Sequence, residues 1–296
     1  MPDGYAHKFN GQCAMNIIGY KPRNRQAFIW GCNGPDPLYF YQMYNPFSKP
    51  TLSHLCSRMH TEKTGIFFKN LFRFAQTNAQ KDYCLGFLCH YSLDSIMHPY
   101  INYITNAYSH PYNREFGHGW FESSLDSHIS FHECGNPAAH PNAFAPEMKK
   151  MYLDQIVTLF KQAVEATYTD VEYDRSEYVK IFSDYRRIKK MLYSPNHLKF
   201  IFVSLTESAL KCPKGYIECR MQPCLDEIKD VPFWRNNPVD FFCDSTIDQL
   251  FRRSNQLSAD YISAGLKYFN GIYSTDDLIE DIGIKSYITG LAIKEP

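Results

Sequence analysis

Apolar residues recur along this chain with a helical period and rarely alternate. In residues 60–78 (HTEKTGIFFKNLFRFAQTN), Ile66, Phe67, Leu71 and Phe74 fall at helical offsets. The period continues through 80–98 (QKDYCLGFLCHYSLDSIMH), and Pro99 is expected to stop it, because proline cannot extend a helix. Further helices are predicted over 115–131, 145–169, 175–193, 197–211 and 244–269. Gly, Pro, Asn and Asp mark the loops: GCNGPDP at 31–37, NPFSKP at 45–50, GNPAAHPNAFAP at 135–146, and 212–240 from CPKGY to WRNNPVD. Neither a repeat nor a low-complexity tract interrupts the pattern. The expectation is an all-α, multi-helix bundle forming one domain over 1–296.

Composition narrows the function classes. Lys and Arg number 31 and Asp and Glu number 31, so the chain lacks the excess of cations that a broad nucleic-acid-binding face requires. No stable nucleic-acid partner is expected. Aromatic residues make up 16%, which excludes intrinsic disorder. No apolar run reaches membrane-spanning length and no secretory signal is visible, so the expected location is cytoplasmic. The ten cysteines form no C-x-x-C pair and read as reduced thiols, most of them buried. The histidines are unevenly placed: ten of eleven lie within the first 140 residues. That half, about 1–140, is expected to hold the chemistry, and the helices of about 144–296 to complete the core.

His90, Asp94 and His98 stand at i, i+4 and i+8, so one helix projects all three from one side. Their neighbours are apolar: Tyr83, Leu85, Phe87, Leu88, Tyr91, Leu93, Ile96 and Met97. Burying two imidazoles and a carboxylate there is costly unless they are paired or bind a metal. His118 and Glu122 repeat the i, i+4 device, and Asp126 extends the stripe as a solvated carboxylate or as a partner orienting a ligating histidine. Asp36 in GCNGPDP and His60, placed at the start of a helix, complete seven ligand-type residues, enough for two metals. Paired Glu-x-x-His motifs are absent, which argues against a di-iron carboxylate bundle.

The order GPDP, a helix-opening histidine, LGFLCHYSLDSIMHPY and HGWFE resembles the zinc-dependent phospholipase C family, which is related to the single-strand-specific zinc nucleases. WRNNPVDFFCDSTIDQLFRRSNQLSADYI is more loosely similar to the family's tryptophan–proline loop and long closing helix. The resemblance implies that Asp36, His60, His90 and Asp94 bind one zinc and that His98, His118 and Glu122 bind a second. It implies a third zinc held by His7, Asp94 and the mature N-terminus. This chain begins Met1-Pro2-Asp3, where a prolyl amine or Asp3 would have to serve. Asp36 matches the carboxylate that orients or deprotonates the attacking water. The implied activity is hydrolysis of a phosphodiester by a metal-activated hydroxide, on a small phosphoester or phospholipid. The alternatives are a zinc nuclease or nucleotidase using the same cluster, and a helical protein that binds metal without turnover. Tyr39, Phe40, Tyr41, Tyr44 and Trp120 are candidates for an aromatic substrate wall. A transient membrane-surface contact is compatible with a lipid substrate, although no strongly basic amphipathic helix stands out.

Overall fold

A computed structural model of the chain describes residues 3–43, 51–107, 114–212, 215, 217–224, 228, 230–231, 233–236 and 241–295. Its described residues form eleven α-helices and one short hairpin, Trp234–Asn236 with Phe241–Cys243. The all-α expectation holds. The helices are α1 (Gly4–Ile18), α2 (Arg25–Cys32), α3 (Thr51–Thr61), α4 (Thr64–Phe74), α5 (Asn78–Ala107), α6 (Arg114–Cys134), α7 (Lys150–Thr167), α8 (Arg175–Leu192), α9 (Leu198–Ala209), α10 (Ile247–Phe269) and α11 (Thr275–Ile282). α5 runs through the middle, packed against α1, α2, α6, α7 and α10.

Three expectations need correction. Residues 60–78 are not one helix: Lys63 adopts a left-handed conformation (φ 57°), which separates α3 from α4. His60 therefore sits in the last turn of α3 rather than opening a helix. Pro99 does not stop α5, which continues to Ala107. A helix-internal proline costs about 3 kcal/mol, whereas a buried apolar side chain returns roughly 1.5–3 kcal/mol. Met97, Tyr100 and Ile101 are all fully buried on the turns around Pro99, so packing outweighs the break. The run 212–240, read as loop, contains the first hairpin strand, and α1, α2 and α11 lie in segments where no helix was expected. The loop 45–50 lies outside the described residues. Of the ten thiols, all free, five are buried, four are partly exposed and Cys134 is exposed.

Two glycines set the distance between α2 and α5. A Cβ on Gly31 would lie 2.1 Å from the Tyr83 carbonyl oxygen, and one on Gly86 would lie 2.1 Å from that of Phe28. Only bare backbone permits this crossing, which brings the last carbonyl of α2 onto the face of α5 that carries His90.

Candidate metal centre

Five chain segments deliver the ligand-type residues to one place. α5 carries His90, Asp94 and His98, and α6 carries His118 and Glu122. His60 comes from the end of α3, Asp36 from the first residue of a 3-10 turn (Asp36–Phe40), and His7 from the first turns of α1. Ligand atoms of Asp36, His60, His90 and Asp94 lie within 4.8 Å of one another, as do those of His98, His118 and Glu122. The rings of His98 and His118 stack with centroids 5.6 Å apart, so the two helices face each other.

The spacing suits a tetrahedral ion. With metal–nitrogen bonds of roughly 2.0–2.1 Å, adjacent ligand atoms are separated by about 3.4 Å. His60 Nε2 lies 3.4 Å from both Asp36 Oδ1 and Asp94 Oδ2, and His90 Nε2 lies 3.0 Å from Asp94 Oδ2 and 3.7 Å from Asp36 Oδ1. In the second group His118 Nε2 and Glu122 Oε1 are 2.7 Å apart, a hydrogen-bond distance shorter than the separation of two ligands on one ion.

Three histidines are oriented by backbone carbonyls. Nδ1 of His60 donates to Cys56 (2.7 Å), that of His90 to Cys32 (3.2 Å) and that of His98 to Tyr287 (2.9 Å). A nitrogen that donates to a carbonyl carries the proton, which leaves each Nε2 a lone pair aimed inward. Those Nε2 atoms, both oxygens of Asp94, Oδ1 of Asp36 and both ring nitrogens of His7 are buried with no hydrogen-bond partner among the described residues. Leaving so many buried polar atoms unpaired is expensive, at about 1–3 kcal/mol each. A bound divalent cation removes that penalty, so the donor set fits zinc.

Gly34 makes room for one of these rings. It has φ 52°, and a Cβ there would lie 2.2 Å from His90 Cδ2.

Electrostatics follow from burial and company. Burial works to raise Asp94, yet the imidazoles of His90 and His98 hold its carboxyl well below the usual range. Burial pushes His7, His98 and His118 down. His60 is different: burial opposes protonation, but Cys56, Asp36 and Asp94 hold its pKa well above the ordinary value.

His7 stacks on His90 with centroids 4.1 Å apart, and its Nε2 lies 3.4 Å from Asp94 Oδ1. Asp3, an alternative oxygen donor, is already engaged: it caps α1 through the Gly4 amide and pairs with the buried Lys189. Met1 and Pro2 lie outside the described residues. Asp126 is neither solvated nor hydrogen-bonded to an imidazole. It is fully buried, and its oxygens accept the amides of Tyr5 (2.9 Å) and Ala6 (2.8 Å). It satisfies the first turn of α1 and so positions the helix that carries His7.

A cleft of about 430 Å³ opens on this centre, lined in part by Asp36, Tyr39, Phe40, His98, His118 and Arg220. Asp36 is the member of the first ligand group that borders it. Tyr41 turns away to Glu177, Trp120 is buried beside Phe121, and Tyr44 lies outside the described residues. A larger cavity, about 580 Å³, lies among α5, α10 and the hairpin and holds none of the ligands. Arg220, Tyr287 and Gly34 escape a sequence reading because their roles come from contacts remote in the chain or from a clash avoided.

The sequence pattern of the family described as zinc dependent phospholipase C matches residues 6–177, more than half of the chain and a span within which all eight ligand-type residues lie. The likeness read in the 234–262 region lies beyond that match. No curated protein and no solved structure matches the chain.

Proposed function

The chain belongs to the zinc-dependent phospholipase C family, and on that premise we propose that it hydrolyses a phosphodiester of a phospholipid or similar small substrate. The observation that carries this reading is the pair of ligand groups meeting at one cleft, with Asp36 belonging to the first group and bordering the opening. Asp36, His60, His90 and Asp94 would hold one zinc and His98, His118 and Glu122 a second, while His7 beside Asp94 offers part of a third. When bound, zinc makes water a nucleophile near neutral pH and offsets charge on the phosphoryl oxygens.

The remaining work falls to the protein. The Cys56, Cys32 and Tyr287 carbonyls keep three imidazoles in the donor tautomer and orientation. Asp36 faces the cleft and takes the proton of the attacking water. Arg220, on the wall of the cleft, presents its guanidinium to the phosphoryl oxygens not held by metal. Tyr39 and Phe40 pack against the apolar part of the substrate.

Metal analysis of chelator-free protein, followed by assays with p-nitrophenylphosphocholine, bis-p-nitrophenyl phosphate and single-stranded DNA, tests the reading. The expected result is at least two zincs per chain and turnover of the first substrate, lost with metal in His90→Ala and His118→Ala. Zinc-loaded protein that cleaves only DNA would assign the centre to a nuclease. Zinc loading with no turnover of any phosphoester would leave a metal-binding protein and refute the proposal.

A further inference from the structure

α9 reverses the usual arrangement of a surface helix. Leu198, Ile201, Phe202 and Leu205 follow the i, i+3, i+4, i+7 spacing of a single stripe. That stripe points outward: the four side chains are 65%, 53%, 71% and 65% exposed, and Leu210 beyond the helix is 71% exposed. The carboxylate of Glu207, by contrast, is turned inward and buried, where it accepts the backbone amides of Ile217 and Glu218. Holding four large apolar side chains in water forgoes the stabilisation that their burial would give. Such a contiguous face marks an interaction surface.

Charge and position indicate what the face meets. Between Met191 and Cys212 the chain has one acid, the inward Glu207, while Lys190, Lys199 and Lys211 are exposed. An apolar stripe edged by lysines and free of outward carboxylates complements the headgroup layer of an anionic bilayer. With 12 residues the helix is about 18 Å long, too short to cross a bilayer but suited to lying in its surface. Among the described residues, no helix is long and apolar enough to span a membrane. The helix is also tied to the wall of the cleft. Glu207 fixes residues 217–218, and the 3-10 turn that follows, Glu218–Arg220, ends on Arg220 at the cleft wall.

We propose that α9 is a membrane-docking helix, which seats the stripe from Leu198 to Leu205 in the surface of an anionic phospholipid bilayer and so presents the cleft to lipid. The lipid-cleaving half of this statement rests on the phospholipase reading; the docking half does not.

Flotation of the zinc-loaded full chain with phosphatidylcholine vesicles containing a minority of phosphatidylserine tests it. The double variant Phe202→Ser/Leu205→Ser removes two exposed side chains, so its melting temperature and its turnover of soluble p-nitrophenylphosphocholine are expected to be unchanged. Its vesicle partitioning is expected to fall by about a hundredfold, roughly tenfold per lost anchor, and its hydrolysis of vesicle lipid to fall with it. Wild-type protein that ignores vesicles, or a variant that partitions as well as wild type, overturns the proposal. So does a wild-type dimer that these substitutions dissociate, which would assign the face to a second copy. Stripe-dependent partitioning without cleavage of any phosphoester would uphold docking and remove the hydrolase reading.

Discussion

Gly34→Ala isolates the geometric requirement on which the metal centre rests. The new Cβ would lie 2.2 Å from His90 Cδ2 and 2.3 Å from Cγ. Carbon atoms in contact sit about 3.5–4.0 Å apart, so the ring must retreat by more than about 1 Å. His90 Nδ1 is already 3.2 Å from the Cys32 carbonyl, and such a shift takes it out of hydrogen-bonding range. It also changes the placement of Nε2 against Asp94, now 3.0 Å distant. The left-handed backbone adds about 1–2 kcal/mol for any residue with a Cβ. Disturbing an oriented ligand typically lowers metal affinity by roughly 10–100-fold. Gly135→Ala supplies the control: its φ is 70°, but a Cβ there meets nothing within 4 Å. Both variants carry the backbone cost; only Gly34→Ala also displaces a ligand. Chelator competition, read as zinc retained per chain, with circular dichroism as a folding check, separates the two. If Gly34→Ala holds zinc within twofold of Gly135→Ala, the steric argument is wrong.

Three further outcomes follow from the same geometry. Asp126→Ala strands the buried amides of Tyr5 and Ala6 and is expected to cost roughly 2–4 kcal/mol in urea unfolding; a loss below 0.5 kcal/mol, a few tenths being the usual surface effect, contradicts that role. Arg220→Gln is expected to lower kcat/KM for p-nitrophenylphosphocholine by about 10–100-fold with zinc content unchanged, and equal loss of metal would show a structural role instead. Metal-free protein should be less stable at pH 5.5 than at 7. Folded-state pKa values of His7, His98 and His118 are lowered, so below the ordinary imidazole value of about 6.5 the unfolded chain gains protons that the folded chain refuses. His60, raised, works the other way only above that value, where its contribution fades as pH rises through its folded pKa. A urea midpoint that rises on acidification to 5.5 would refute the assignment.

What was legible in the sequence was local. The i, i+4 spacing of His90, Asp94 and His98, and of His118 and Glu122, is a property of the helix itself, so the ligand stripes could be placed without tertiary information. The surrounding elements were harder. α1 buries Gly4, Ala6, Asn10, Gly11 and Ala14, small or polar residues that leave little apolar period. The division between α3 and α4 depends on a lysine in a left-handed conformation, which no residue type announces. Asp126 lay on the expected stripe, but its partners are backbone amides 121 and 120 residues away. The Tyr287 carbonyl reaches His98 across 189 residues. For α9 the periodicity marked a helix over 197–211 and left its apolar face unassigned. It could not say that the face would be left uncovered, because period fixes which side chains align and not what lies opposite them.

The hydrogen bond from His98 to Tyr287 ties the proposed ligands of α5 to a residue 189 positions later in the chain. A chain emerging from the ribosome already contains every proposed ligand long before residue 287 is made, yet one imidazole stays unaimed until that residue docks. The second ligand group is therefore completed only when residues remote in the chain have folded back onto α5.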